Sequence, residues 1–325
     1  MSIVDCPLVG DIDNYITTLF YWMLKPVIKW TDIQIDITDK CNAACLYCSR
    51  NDPGRVINTD LTPEDMKKIM DSDVKSIEMC GNYGDASANR YLFEILESLN
   101  CDVKIFTNGS AHSPAYWKKL ATLMGENPVL FALDGNDKET YERYRVNCIW
   151  EKTLENAQAF IDAGGWAVWS MVLFDWNIDQ HEEAQKRAKD MGFCHFHTIY
   201  SSRNVKRGTG THKIGTDTFD KVVPLCLERQ RLFITAQGNV FPCCWMASDY
   251  EGIHETPNIK DYESLRSLLE SDKWNQYWSS INSFDHKICR KKCGKNKRDY
   301  KIIKSFDHRI YDQPRGSNTQ AITSL

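Results

Sequence analysis

Three cysteines lie close together in the stretch CNAACLYC, which runs from Cys41 to Cys48. Such a dense thiol cluster contributes little to an apolar core and invites oxidation unless a metal holds it. Structural zinc sites are closed by four Cys or His ligands, and iron–sulfur clusters usually take four thiolates. Because Cys41, Cys45 and Cys48 leave the local set one ligand short, they predict a metal group with an open coordination position. The alternative is a zinc knuckle completed by a distant His or Cys.

The segment before the cysteines, from Asp32 to Ile37, alternates polar and apolar residues and is typical of a strand. The cysteine loop is therefore expected at the carboxyl end of a strand. With Tyr47 immediately before the last cysteine, this motif resembles that of the radical S-adenosylmethionine (AdoMet) superfamily. The resemblance implies that the three thiolates hold a [4Fe–4S] cluster and that its open iron binds AdoMet. It also implies an enzyme in which a 5′-deoxyadenosyl radical takes a hydrogen atom from a substrate.

Length and charge limit the remaining possibilities. A chain of 325 residues with 42% hydrophobic residues is long enough for one large and one small domain. The 40 basic and 44 acidic residues give a net charge of −4, which offers no electrostatic basis for binding nucleic acid. A small molecule or a peptide is the expected substrate, together with an electron donor such as a flavodoxin or a ferredoxin.

Cysteine usage and hydropathy predict a cytoplasmic protein with no membrane partner. The 13 cysteines are odd in number and clustered, and no secretory signal is visible at the start of the chain. The most apolar run, from Tyr15 to Ile28, is interrupted by Lys25 and Pro26. It is shorter than the roughly 20 residues that span a bilayer.

Strand patterns alternate with helical patterns from residue 31 to residue 200, which favours parallel strands joined by helices. The family resemblance implies that this α/β region closes into a partial (β/α)6, TIM-like barrel with its site at the carboxyl ends of the strands. Around it we expect a helical extension over 1–30, a linker over 201–225, a small α+β auxiliary domain over 226–293 and a tail over 294–325.

The loop after the second predicted strand reads Cys80-Gly-Asn-Tyr-Gly-Asp-Ala86 and resembles the Gly-Gly-Glu-Pro element that meets the AdoMet amino group. Gly84 and Asp85 match the second glycine and the acid, whereas Tyr83 and Ala86 depart from the pattern. A glycine allows close backbone approach, and an acid offers a partner for an ammonium group.

Three further positions match family elements. Thr107-Asn108-Gly109 resembles the turn at the barrel mouth, which implies that Asn108 contacts AdoMet. In Ala132-Leu133-Asp134-Gly135 an alanine stands where a serine often assists AdoMet. Arg145 matches an arginine on the AdoMet carboxylate, a role that suits the bidentate guanidinium. With Tyr47, Gly84 and Asp85, these residues form the predicted AdoMet set.

The carboxyl-terminal third carries a second cysteine pattern: Cys226, Gly238 and Cys243 at the spacing C-x11-G-x4-C, followed by Cys289-x3-Cys293. It resembles the cysteine-rich extension called SPASM in its two-cluster form and twitch in its one-cluster form. The number of cysteines favours twitch, which implies a second [4Fe–4S] cluster closed by these four thiolates. Cys244 is an alternative to Cys243 as a ligand, and a zinc ribbon is the alternative to a cluster.

The resemblance implies a radical AdoMet oxidoreductase in which the closed auxiliary cluster accepts an electron from the substrate radical. One alternative is a maturase that crosslinks or epimerises a ribosomally made peptide, and a remote one is a non-catalytic metal-binding scaffold. Most cysteines outside the two sets are expected to be small buried residues, with Cys80 a possible hydrogen-atom donor at the barrel mouth. The catalytic residues stay unknown, although Trp166, Trp169 and Trp176 occupy candidate pocket positions.

Overall fold

The computed structural model of the chain describes residues 29–51, 56–200, 221–222, 224–248, 256–281 and 287–295. The predicted helix within residues 1–30 lies outside the described residues, apart from positions 29 and 30. Most of the predicted linker, and the predicted tail after Lys295, lie outside them as well.

Strands and helices alternate along the described chain, as the sequence predicts. The strands are β1 (Asp32–Ile35), β2 (Ser76–Met79), β3 (Asp102–Thr107), β4 (Val129–Ala132), β5 (Ala167–Leu173), β6 (His195–Tyr200), β7 (Lys221–Val222), β8 (Arg231–Ile234), β9 (Val240–Phe241) and β10 (Gly294–Lys295). The helices are α1 (Pro63–Met70), α2 (Leu92–Ser98), α3 (Pro114–Met124), α4 (Lys138–Tyr144), α5 (Trp150–Asp162), α6 (His181–Asp190), α7 (Leu225–Glu228), α8 (Leu265–Glu270), α9 (Asp272–Ile281) and α10 (Lys287–Cys293). None of these described helices is long and apolar enough to cross a membrane.

Local capping explains several helix starts. Thr62 caps α1 by accepting from the backbone N–H of Asp65, whose carboxylate accepts in return from the Thr62 backbone, and Pro63 occupies the first turn. Helix α4 is absent from the sequence prediction, and it begins where Asp137 accepts from the Thr140 N–H at 2.8 Å. Helix α5 starts at Trp150, directly after Ile149, which makes no side-chain capping hydrogen bond.

One sheet contains both the strands of the predicted barrel and the hairpin of β8 and β9, which lies in the predicted auxiliary domain. Strands β1 to β6 pair in parallel in chain order, and the whole order is β6-β5-β4-β3-β2-β1-β8-β9. The predicted α/β partial TIM-like barrel is therefore confirmed. Strand β8 pairs in parallel with β1, with Asp32 opposite Arg231, and β9 returns antiparallel to β8. The expected domain boundary at residue 226 consequently does not separate two sheets.

The two faces of the sheet differ in chemistry because successive side chains of a strand point to opposite sides. Ile33, Ile35 and Ile105 are buried in the main core with helix residues such as Met66 and Trp117. The intervening residues line the concave side, which we call the lumen. They include a polar row of Gln34, Glu78 and Lys104, which are neighbours in register across β1, β2 and β3.

Candidate functional site

The cysteine loop follows β1 and is anchored on the carboxyl end of α4 and the residues just after it. The Ala44 N–H donates to the Val146 carbonyl at 2.8 Å, and the Leu46 N–H donates to the Tyr144 carbonyl at 3.3 Å. Within the loop, the Cys48 N–H donates to the Cys45 carbonyl at 3.1 Å. The loop therefore has a fixed position at the carboxyl end of β1.

A side-chain hydrogen-bond donor lies beside each of two of the three thiols. The Asn108 amide nitrogen lies 3.5 Å from the Cys41 sulfur, and the Arg145 guanidinium lies 3.7 Å from the Cys45 sulfur. Burial raises the pKa of Cys41 to about 12 and also raises the pKa of Cys45. Because metal ligation requires deprotonated thiols, these donors and a cationic iron–sulfur group would together offset the burial. The donor set thus fits the group that the motif predicts.

The separation of the candidate ligand side chains argues against the zinc alternative. Over the described ranges, no three Cys, His, Asp or Glu side chains converge closely enough to hold a single metal ion. A zinc ion would require its sulfur ligands about 2.3 Å from one centre. A four-iron cluster takes its thiolates on different irons, so it suits the more open arrangement of Cys41, Cys45 and Cys48.

Gly84 and Asp85 are held by contacts within the protein. A Cβ on Gly84 would lie 2.0 Å from the carbonyl oxygen of Thr38, so this glycine is required by close approach to the backbone that leads into the cysteine loop. The buried Asp85 carboxylate accepts from the Ser87 N–H and hydroxyl, the Thr107 hydroxyl and the Asn108 N–H, at 2.7 to 3.1 Å. These contacts join the loop after β2 to the turn after β3, and they engage both carboxylate oxygens.

Arg145 forms an ion pair that could not be identified from the sequence. Its Nε lies 2.5 Å from Oδ2 of Asp134, which is fully buried and also accepts from the Val172 N–H at 2.6 Å. Asp134, with Cys45 and neighbouring tyrosines, raises the pKa of Arg145 well above its ordinary value despite burial. The pair lies between β4 and the cysteine loop. The available signal for Asp134 was its place in the Ala-Leu-Asp-Gly element.

Aromatic side chains surround Tyr47. Its ring centroid lies 6.2 Å from Tyr144, 6.2 Å from Phe174 and 6.4 Å from Trp176. The buried Nε1 of Trp176 has no hydrogen-bond partner among the described residues. An unpaired buried donor is costly, so this N–H fits a polar ligand group beside the cysteine loop. Trp169, by contrast, is fully buried in the core and donates to the Leu133 carbonyl at 2.8 Å.

The four thiols of the predicted auxiliary set lie in one neighbourhood. Cys226 interacts electrostatically with Cys243, Cys289 and Cys293, which raise its pKa to about 12 together with the larger effect of burial. Cys289 interacts with both Cys243 and Cys293. These residues come from α7, from the segment after β9 and from α10, so they are assembled only by the fold.

Cys244 has different surroundings from those of its neighbour Cys243. Beyond Cys243, the groups that interact with it are Asp36, Glu78 and Arg231, which belong to the loop after β1, to β2 and to β8. Cys244 therefore lies near charged groups of the sheet, while Cys243 interacts with the distant cysteines. This arrangement favours Cys243 over Cys244 as a cluster ligand.

Asp36 and Cys80 lie beside Cys244 at the barrel mouth. The Cys80 thiol donates to Oδ1 of Asp36 at 3.4 Å, and the N–H groups of Asn82 and Tyr83 donate to the same carboxylate at 2.9 and 3.1 Å. Burial raises the pKa of Asp36 to about 7, although these donors oppose the shift. The pKa of Cys80 is also raised by burial, which keeps its sulfur protonated.

Deeper in the lumen, Glu78 accepts from the Gln34 amide at 2.9 Å and lies 3.9 Å from Lys104 and 3.6 Å from Arg231. Burial lowers the pKa of Lys104 to about 8, even though the Glu78 charge opposes this effect. Ser170 and His197 face the same space, with 3.2 Å between Oγ and Nδ1. Sequence reasoning missed this set because each residue looks like an ordinary polar residue of a half-buried strand.

Comparisons with known proteins agree with this geometry. Residues 35–188 match the radical SAM superfamily model, and residues 226–294 match SPASM, an iron–sulfur cluster-binding domain. The chain belongs to the radical SAM superfamily. It carries a radical SAM domain followed by a carboxyl-terminal SPASM domain, and these domains imply AdoMet and iron–sulfur clusters as its cofactors.

Individual proteins match the chain over a short segment or at low sequence identity. The chain is 33% identical over 94 residues to a probable GTP 3′,8-cyclase of Methanothermobacter marburgensis, and this match covers 26% of the chain and 29% of that relative. Streptococcus suis SuiB bound to S-adenosylmethionine has a TM-score of 0.61 at 13% identity, covering 90% of this chain and 76% of that chain. The AdoMet-bound protein anSMEcpe has a TM-score of 0.54 at 16% identity, covering 76% of this chain and 79% of that chain. At such identities the structures support a shared fold.

Proposed function

We propose that this radical SAM enzyme is an oxidoreductase: it abstracts a hydrogen atom from its substrate, and an auxiliary [4Fe–4S] cluster then accepts an electron. The observation that carries the proposal is the neighbourhood of Cys226, Cys243, Cys289 and Cys293, next to which Cys244 interacts with the Asp36 and Glu78 carboxylates of the barrel. Four thiolates leave no open iron, so a cluster on them is suited to electron transfer.

Two sets of residues would hold the cofactors. Cys41, Cys45 and Cys48 would bind the radical cluster, and the four distant thiols would bind the auxiliary cluster in a twitch-type arrangement. When bound, the first cluster and AdoMet supply the one-electron cleavage that yields the hydrogen-abstracting radical. The division of the chain into a barrel over 31–200 and an auxiliary region over 226–293 is part of the same proposal.

The AdoMet set has direct and indirect members in this proposal. Arg145, oriented by Asp134, offers a guanidinium beside the cysteine loop, and Asn108 offers an amide at the same place. Tyr47 contributes an aromatic surface. Gly84 and Asp85 act by holding the loop after β2 against the cysteine loop, since their contacts lie within the protein.

The lumen is the proposed substrate chamber. Its lining offers a carboxylate at Glu78, an ammonium at Lys104 and the Ser170–His197 pair, which are the hydrogen-bonding groups that a polar substrate needs. This lining favours a small polar molecule with hydroxyl or amino groups, and an alcohol C–H bond suits the oxidation that we propose.

A peptide maturase is the second candidate. The observation that favours it is the similarity of fold to Streptococcus suis SuiB bound to precursor peptide SuiA, with a TM-score of 0.61 over 90% of this chain. The two candidates differ in the kind of molecule that stimulates AdoMet cleavage. Polyols and amino alcohols would stimulate it in the first case and peptides in the second.

Anaerobic reconstitution followed by dithionite reduction tests the proposal. We expect 5′-deoxyadenosine from AdoMet, about eight irons per chain from two four-iron clusters, and faster cleavage with the correct class of substrate. If AdoMet stays intact although the iron is present, the proposed reaction is refuted and a metal-binding scaffold becomes the better description.

Variants of the auxiliary ligands test the electron-accepting role. Cys226→Ala and Cys289→Ala should abolish substrate oxidation while some uncoupled AdoMet cleavage continues. Unchanged product formation would refute that role. A flavodoxin or ferredoxin as physiological donor, and a cytoplasmic location that keeps these thiols reduced, complete the proposal.

A further inference from the structure

A buried carboxylate links the start of the cysteine loop to two other segments of the chain. Asp39 lies two residues before Cys41 and is fully buried. Its Oδ1 accepts from the Thr59 N–H at 2.7 Å, and its Oδ2 accepts from the Ile57 N–H at 2.9 Å. Oδ2 also accepts from the side-chain amide of Gln237 at 2.9 Å, although Gln237 lies 198 positions further along the chain. The residue that leads into the cysteine loop is therefore held by a distant part of the sequence.

Gln237 lies in the turn between β8 and β9, within the region that matches SPASM. In this turn the Gly238 N–H donates to the Thr235 carbonyl at 2.8 Å, and Gly238 adopts a φ of +95°, which favours glycine. The Asn258 side-chain amide donates to the Gln237 carbonyl at 3.1 Å. The backbone of the turn is therefore fixed, and it directs the Gln237 side chain to Asp39.

Arg50 connects Asp39 to the interior of the cysteine loop. Its Nε donates to the Asp39 carbonyl at 3.1 Å, and its Nη1 donates to the Ala43 carbonyl at 3.3 Å. Ala43 lies between Cys41 and Cys45. A shift of Asp39 would therefore also move the backbone that carries the first two thiols.

The Asp39 carboxylate needs its donors because a buried charge is costly unless it is hydrogen-bonded. Hydrogen bonds to an ionised carboxylate are shorter and stronger than those between neutral groups. Removing one partner of a buried acceptor therefore costs more than removing both. Groups that hydrogen-bond around metal ligands orient those ligands and alter the chemistry of the metal. Gln237 is thus placed to affect a cluster on the cysteine loop although it supplies no ligand.

We propose that Gln237 is a positioning residue for the radical cluster: the hairpin of β8 and β9 holds the cysteine loop in its AdoMet-binding conformation through the Gln237–Asp39 hydrogen bond. The inference goes beyond the proposed oxidation, because it concerns AdoMet binding and holds for any substrate. Cys243, a proposed auxiliary ligand, lies two residues after β9. The same hairpin therefore connects the two proposed cluster sites.

The test uses the reconstituted holoenzyme with AdoMet as the probe. Gln237→Met keeps the length of the side chain without its donor, and it should weaken AdoMet binding about tenfold, the lower end of what loss of an outer hydrogen bond costs at a metal site. At one AdoMet concentration, the electron paramagnetic resonance spectrum of the dithionite-reduced variant should change less than that of the wild type. Amide hydrogen exchange over residues 41–48 should be faster, because the loop has lost a fixed contact.

The matched control is Gln158→Met, which removes a hydrogen bond of the same kind, 2.8 Å long, from Gln158 to Asp162 on the exposed side of α5. This variant should match the wild type in AdoMet affinity, spectrum and exchange. Gln237→Lys keeps a donor toward the carboxylate, so it should bind AdoMet within about twofold of the wild type. All variants should hold equal iron, because neither glutamine is a cluster ligand.

The inference is overturned if Gln237→Met binds AdoMet as tightly as Gln158→Met, or if Gln237→Lys binds it as weakly as Gln237→Met. Loss of about four irons from Gln237→Met would also overturn it, because the hairpin would then act through its own cluster. Gln237→Ala, which removes the donor without adding bulk, should repeat the loss of affinity and serves if Gln237→Met does not fold. Failure to oxidise any substrate refutes the proposed function instead and leaves this inference standing.

Discussion

Replacing Gly84 by alanine tests whether contact between two backbone segments positions the cysteine loop. The added Cβ would lie 2.0 Å from the Thr38 carbonyl oxygen and within 3.0 Å of the Asp39 Cα. The loop cannot simply move away, because the Asp85 N–H donates to the Lys40 carbonyl at 2.8 Å. Overpacking typically costs about 1–3 kcal/mol, and a backbone clash of this depth belongs at the upper end.

We therefore expect Gly84→Ala to lower the free energy of unfolding by about 3 kcal/mol. In a chain of 325 residues about 1 kcal/mol shifts the melting temperature by roughly 1.5 °C, so calorimetry should show a fall of roughly 4–5 °C. Because Thr38 and Asp39 lead into Cys41, the reconstituted variant should also bind less iron.

The matched control is Gly164→Ala, since a Cβ at Gly164 meets nothing within 4 Å and the strain comes only from its φ of +85°. That backbone strain is expected to cost about 1–2 kcal/mol, with full iron content. The reasoning is refuted if Gly84→Ala melts no lower than Gly164→Ala and retains all of its iron.

Three further predictions concern the two cluster sites and the barrel mouth. Arg145→Met leaves the fully buried Asp134 without its cation and should destabilise the protein by about 3–5 kcal/mol. Adding Asp134→Asn removes the unpaired charge and should largely restore the melting temperature. Equal melting temperatures of the single and double variants would contradict the pairing. Cys243→Ala should remove about four irons per chain while Cys244→Ala removes none, as iron analysis can show, and the reverse result would exchange their roles. Because burial raises the folded-state pKa of Asp36 from 3.8 to about 7, the folded state holds this proton more tightly, and stability should fall by about 1 kcal/mol per pH unit between about pH 4 and 7. Asp36→Asn should flatten that slope in melting curves, and an unchanged slope would assign it to other groups.

The cofactor chemistry and most of the fold follow from the sequence by itself. The cysteine loop is a local feature, since Cys41, Cys45 and Cys48 lie within eight consecutive residues. Their spacing restricts the metal group that they can bind. The alternation of strands and helices is likewise encoded in short periodic segments and caps, such as Thr62 before α1. Helix α4 escaped prediction because only Tyr141 and Tyr144 are buried among its otherwise polar residues, so its sequence shows no clear apolar period.

The tertiary structure decided what depends on contacts between distant residues. The fold pairs Arg145 with Asp134 and packs Gly84 against the backbone of Thr38. It also gives Cys243 and Cys244 different neighbours. Parallel strands bring residues far apart in sequence to one edge, so Glu78 meets Lys104 and Arg231 in the lumen. Spacing along the chain does not predict such side-chain contacts, because they depend on strand order and register.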